Sequence, residues 1–105
     1  MENEKKFDLI ITIVNNGFGN QAIEAAKLTG ATGGTILNGR GLGINEAKKF
    51  LGICLQSEKE VVLILTKHSC KTGIMKAIGK EVGIKTPGEG MCFSLPVDDV
   101  EGVYV

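Results

Sequence analysis

The sequence predicts an α+β fold: a ferredoxin-like βαββαβ sandwich, with a four-stranded antiparallel sheet and two helices on one face. Three observations lead there. Segments of strand and helix character follow one another as β-α-β-β-α-β, and the two βα units are of similar length. The chain has 105 residues, which is one ordinary domain with little room for a second. It is therefore read as a single domain over 1–105, with its core over about 7–103.

Phe7 to Val14 is aliphatic and β-branched and runs into Asn15-Asn16-Gly17, a strand followed by a turn. From Gly19 to about Thr29 helix formers take over, with Ile23, Ala26 and Leu28 on one side and Glu24 and Lys27 on the other. Gly30 stands where a left-handed residue closes a helix. Thr35 to Leu37 is a short second strand, and Asn38 to about Gly43 reads as a glycine-rich loop. Asn45 to Gly52 has brief helical character. Lys59 to Thr66, with Val61-Val62-Leu63-Ile64-Leu65 inside it, is the plainest strand in the chain. Ser69 is placed to cap a second helix, in which Ile74, Ile78 and Val82 recur every four residues and Gly83 ends the run. Beyond the turn Thr86-Pro87-Gly88-Glu89-Gly90, Met91 to Val97 makes a last strand, and Pro96 suits a sheet edge. The strands are apolar at nearly every position, which implies cover on both faces and hence self-association.

Composition narrows the function. Twelve acidic and twelve basic residues cancel, so no net field marks the chain for nucleic acid. The apolar run at Phe7–Val14 is too short to cross a membrane, and no signal peptide is visible. Cys54, Cys70 and Cys92 are odd in number and widely spaced, which fits a reducing cytoplasm better than a disulfide framework. Glycine is the outlier: fifteen residues, about twice the usual share of roughly 7%. Glycine-lined loops are thus the first place to look for function. Gly39, Gly41 and Gly43 form neither a Walker A loop, since no Gly-Lys-Ser/Thr follows, nor a dinucleotide fingerprint, since no long βαβ unit surrounds them.

Three stretches, in this order and with the βαββαβ plan, resemble the PII signal-transduction family of nitrogen regulators, as a divergent PII-like member. Gly30-Ala31-Thr32-Gly33-Gly34-Thr35 is similar to that family's turn into the second strand. Gly39-Arg40-Gly41-Leu42-Gly43 resembles the base of its T-loop, and Thr86-Pro87-Gly88-Glu89-Gly90 its B-loop. The resemblance implies a homotrimer with its sheets inward and adenine nucleotides (ATP, ADP or AMP) in the clefts between subunits. It also implies a regulated protein partner, a membrane transporter or an enzyme, and a role in nitrogen metabolism. Carried over position by position, Thr35, Gly41, Gly43, Leu65, Gly88, Glu89 and Gly90 match cofactor-binding places.

The resemblance breaks at the phosphate end. Where nucleotide-binding members place a lysine and two arginines, this chain has Met91, Asp99 and Gly102. Losing charge-assisted bonds of roughly 1.5–3 kcal/mol each weakens any grip on a triphosphate. The T-loop region has no tyrosine, since Tyr104 lies beyond the last strand, and Asn45 replaces the glutamine linked to metal and 2-oxoglutarate. No catalytic triad or paired-carboxylate site is visible, so the expectation is a regulator and no enzyme. His68 and Cys70 at the start of the second helix, and Asp98-Asp99 with Glu101, are the residues a metal-handling alternative would use. Solvated side chains explain both groups as well, and no metal is assigned.

Overall fold

The computed structural model describes residues 6–41, 49–50, 53–54 and 57–102. The elements are β1 (Phe7–Asn15), α1 (Gly19–Lys27), β2 (Thr35–Gly41), β3 (Lys49–Phe50), β4 (Ile53–Cys54), β5 (Ser57–Lys67), α2 (Lys71–Val82) and β6 (Met91–Val97). A 3-10 turn, His68–Cys70, leads into α2. Four strands form one antiparallel sheet in the order β2-β5-β1-β6, the ferredoxin-like arrangement that the sequence predicts. The two-residue strands β3 and β4 pair separately.

Residues alternate across β1, so Asp8, Ile10, Thr12 and Val14 turn to the helices and are buried. With Val62 and Ile64 of β5 they meet Ala22 and Ala26 of α1 and Ile74, Ile78 and Val82 of α2. Each large aliphatic side chain buried there stabilises the fold by about 1.5–3 kcal/mol. Ile74, Ile78 and Val82 are thus the inward stripe that their spacing predicts, and Met75 and Cys92 pack against the same core.

The opposite face of the sheet is also apolar but lacks helical cover among the described residues. Phe7, Leu9, Ile11 and Ile13 of β1 and Val61, Leu63 and Leu65 of β5 are half-buried, while Met91, Phe93 and Leu95 of β6 and Leu37 of β2 are exposed. In register, Leu9 lies between Leu65 and Leu95, and Ile11 lies between Leu63 and Phe93. Among the described residues, helices cover one face only.

Several local expectations are corrected. Leu28 is 88% exposed, because α1 turns Ala22 and Ala26 inward and Leu28 lies past the helix's last turn. The second strand extends to Gly41, taking in Gly39 and Gly41, because β5 is long enough to pair with them through Lys59 and Ser57. Ser69 does not cap α2; Cys70 holds the cap position without a side-chain bond, because the 3-10 turn His68–Cys70 delays the helix by one residue. Lys49–Phe50 is strand, not helix, and the rest of 45–52 lies outside the described residues. Gly30 does take a positive φ of 120°. Among the described residues β6 pairs in the sheet with β1 alone, which leaves Pro96 on an edge strand as expected.

Candidate functional site

The difference in length between β5 and β2 opens a concavity beside β5. β5 has eleven residues and β2 seven, and their pairing ends at Thr35 opposite Leu63. Beyond that rung, Ile64–Lys67 has no strand partner on the β2 side among the described residues. The loop from α1 to β2 lies close against this open edge. A Cβ at Gly34 would sit 3.0 Å from Ile64 Cγ1, 3.2 Å from Ile23 Cγ1 and 3.2 Å from the Leu63 carbonyl oxygen, so the close approach favours glycine.

A cleft of about 710 Å³ results. Phe7, Leu9, Leu63 and Leu65 give its lining an apolar part, and Thr32, Gly33, Thr35, Lys67, Cys70 and Gly102 also line it. Backbone donors and acceptors along an unpaired strand edge need partners. Apolar walls beside such groups suit a flat heteroaromatic ring that hydrogen-bonds through its edge. Thr35 and Leu65, two residues that the resemblance pointed to, both line this cleft.

Gly88, Glu89 and Gly90 lie elsewhere, in the turn beside Asn15 at the far end of β1. From Leu63 to Lys59 is four residues of β5, about 13 Å at ~3.3 Å per residue. Gly88 and Gly90 are buried against the end of α2. A Cβ on Gly90 would meet the Val82 carbonyl oxygen at 2.5 Å and Val14 Cγ1 at 2.8 Å, while the Gly90 N–H donates to that same carbonyl at 2.7 Å. Packing alone therefore requires glycine there. Glu89 takes a positive φ of 43°, and its carboxylate accepts from Asn15 Nδ2 at 3.4 Å. Gly41 closes β2 opposite Ser57, and Gly43 lies outside the described residues, as does Asn45.

Composition and spacing did not suggest four polar links. Lys59, only 7% exposed, donates from Nζ to Asn15 Oδ1 at 2.7 Å, and Asn15 Nδ2 donates to the Pro87 carbonyl at 3.0 Å. The Glu60 carboxylate accepts from the Gly19 N–H at 2.7 Å and so caps α1, whose N-cap residue Phe18 supplies no side-chain bond. Buried Asp8 meets His68 Nδ1 at 2.5 Å. The available signals were faint: a lone carboxylate within an apolar strand, and a lysine and glutamate beside the longest apolar run.

At the three positions where the resemblance expected cations, Met91 opens β6 with its side chain exposed, Asp99 is exposed, and Gly102 lines the cleft with a φ of 82°. Among the described residues, Lys67 is the cation lining the cleft. A second, polar hollow of about 760 Å³ lies beside β2, between Asn16, Asn38, Arg40 and Glu58. Among the described residues, no group of three or more His, Cys, Asp or Glu side chains is placed to hold a metal. None of their helices is long and apolar enough to cross a membrane.

Comparison with solved structures decides the fold. An Arabidopsis thaliana PII protein bound to citrate superposes with a TM-score of 0.73 at 24% identity, over 95% of this chain and 82% of that one. The fold is that of the PII proteins. A DUF3240 family protein from Shewanella baltica matches with a TM-score of 0.70 at 11% identity, over 96% of this chain and all of its own. The Bacillus subtilis GlnK–ATP complex matches with a TM-score of 0.67 at 14% identity, over 88% and 83% of the two chains. No family model and no curated protein matches the sequence. The expectation of a divergent PII-like fold thus stands on structure at low identity.

Proposed function

We propose that this PII-like chain is the subunit of a homotrimeric regulator, which takes the base of an adenine nucleotide in the cleft beside β5 and signals to a protein partner. The cleft carries the reading: apolar residues beside an open strand edge, with Thr35 and Leu65 in the lining. The apolar sheet face supports the trimer, since monomeric proteins rarely leave such patches bare. Among the described residues Lys67 is the one cation lining the cleft, and AMP needs less phosphate neutralisation than ATP, so AMP is the favoured nucleotide. The partner is a transporter or an enzyme, the role is regulatory, and the compartment is the cytoplasm. The metal-handling alternative is left without a supporting donor cluster among the described residues.

Isothermal titration with AMP, ADP, ATP and a cyclic nucleotide tests the ligand. Binding with AMP strongest is the expected result, and absence of heat with all four removes the nucleotide. Light scattering tests the assembly: a monomer at micromolar concentration removes the trimer.

A further inference from the structure

The open stretch of β5 has a defined polarity. The Leu63 carbonyl oxygen lies 3.2 Å from where a Cβ on Gly34 would sit, so Leu63 turns its backbone groups toward β2. On the other side the His68 N–H donates to the Lys6 carbonyl at 2.8 Å, one step past the rung that joins Phe7 to Lys67. Backbone groups alternate along a strand, so even-numbered residues of β5 bond β1 and odd-numbered residues face β2. β2 begins only at Thr35, opposite Leu63. The Leu65 N–H, the Leu65 C=O and the Lys67 N–H therefore face the cleft that both residues line. Among the described residues no backbone bond joins them to the loop at 30–34. That loop leaves room, since a Cβ on Gly33 would meet nothing within 4 Å.

A donor, an acceptor and a second donor along two residues, about 7 Å at ~3.3 Å per residue, match the backbone of an extended peptide. Antiparallel pairing lets one residue exchange both bonds with Leu65. Its side chain would join the apolar row of Leu65, Leu9 and Leu95. The residue two places earlier stands opposite Lys67, the one charge among the described residues lining the cleft. An ammonium there selects a carboxylate across the strands.

We propose that the β5 edge takes an extended segment of a partner protein as an added antiparallel strand, with Glu or Asp opposite Lys67 and a β-branched residue opposite Leu65. The pairing goes beyond the nucleotide reading and does not rest on it. A nucleotide base would occupy the same edge, so nucleotide and peptide exclude each other; that exclusion alone rests on the reading above.

The probe is a fluorescein-labelled peptide with blocked ends, Gly-Ser-Glu-Thr-Val-Thr-Gly, titrated with the full chain and followed by anisotropy. Binding is expected, weakened about tenfold or more when the valine nitrogen is methylated. Methylation removes the donor to the Leu65 carbonyl and leaves every side chain in place. The parent should prefer this peptide to one with lysine in place of glutamate, and Lys67→Glu, folded by circular dichroism, should reverse the preference. Equal binding of the methylated peptide overturns the added strand, as does no binding at millimolar concentration. A preference unchanged in Lys67→Glu overturns the acidic requirement. AMP then separates the two readings. Peptide displaced by AMP supports the exclusion, whereas AMP that binds by calorimetry without displacing the peptide overturns it. Methylation-sensitive peptide binding without AMP binding removes the nucleotide and keeps the strand; AMP binding without peptide binding does the reverse.

Discussion

Gly90 separates a packing role from a binding role for the turn at residues 86–90. In Gly90→Ala the added carbon would sit 2.5 Å from the Val82 carbonyl oxygen, 2.8 Å from Val14 Cγ1 and 3.3 Å from the Ile13 carbonyl oxygen. Two of these neighbours are backbone and the third is a core side chain, so none can swing aside. Overpacking of this kind costs about 1–3 kcal/mol. Moving the strand away also strains the bond from the Gly90 N–H to Val82, which is worth about 1 kcal/mol. The sum, about 2–4 kcal/mol, lowers the melting temperature by roughly 10 °C or more at 4–8 °C per kcal/mol. Gly73→Ala is the control. Gly73 lies inside α2 with nothing within 4 Å of a Cβ, and replacing it gains up to about 1 kcal/mol from helix propensity. Thermal unfolding followed by circular dichroism, at one protein concentration because assembly shifts the midpoint, should move the two variants in opposite directions. A Gly90→Ala protein as stable as its parent would refute the packing account and leave ligand contact as the reason for the glycine.

Thr12 is fully buried with its hydroxyl unpartnered, so Thr12→Val should stabilise the fold by about 1–3 kcal/mol in urea unfolding; a loss would show a missed partner. Glu60→Ala removes the carboxylate that caps α1 and should cost about 1 kcal/mol, recovered only in part by Gln. Burial pushes the Cys92 thiol above its ordinary range, so the folded state holds this proton longer than the unfolded chain does. Its stabilising effect is complete below the thiol's unfolded pKa of about 8.5 and is lost as pH rises through the higher folded value. Cys92→Ala should flatten that alkaline decline in stability.

The strand order was legible because runs such as Val61–Leu65 admit little else and the turn residues between them are plain. What escaped depended on contacts distant in sequence. Gly39-Arg40-Gly41 has a loop's composition, yet it is a strand because Lys59, Glu58 and Ser57 stand opposite it. Ser69 looked like a cap because capping signals are local, while the 3-10 turn there is tied by its backbone to Lys6, across the sheet. At the site, Thr35 and Leu65 were reached through motif resemblance. No pattern in the sequence reveals that the rung at Leu63 is the last, and that ending is what opens the cleft. The links Asn15–Lys59 and Asp8–His68 join residues 44 and 60 positions apart, beyond any periodicity.

Those two links also bear on how the chain finds its register. Because both faces of β1 and β5 are greasy, a slip of one residue would exchange one apolar set for another at little hydrophobic cost, and side-chain alternation gives weak guidance. Asp8 and Asn15 sit seven residues apart near the two ends of β1, on opposite faces, each bound to a group on or just past β5. A shifted pairing turns Asp8 away from His68 and Asn15 away from Lys59 together. They act as dowels at either end of a joint whose middle would slide, aligning the strands that the core then clamps.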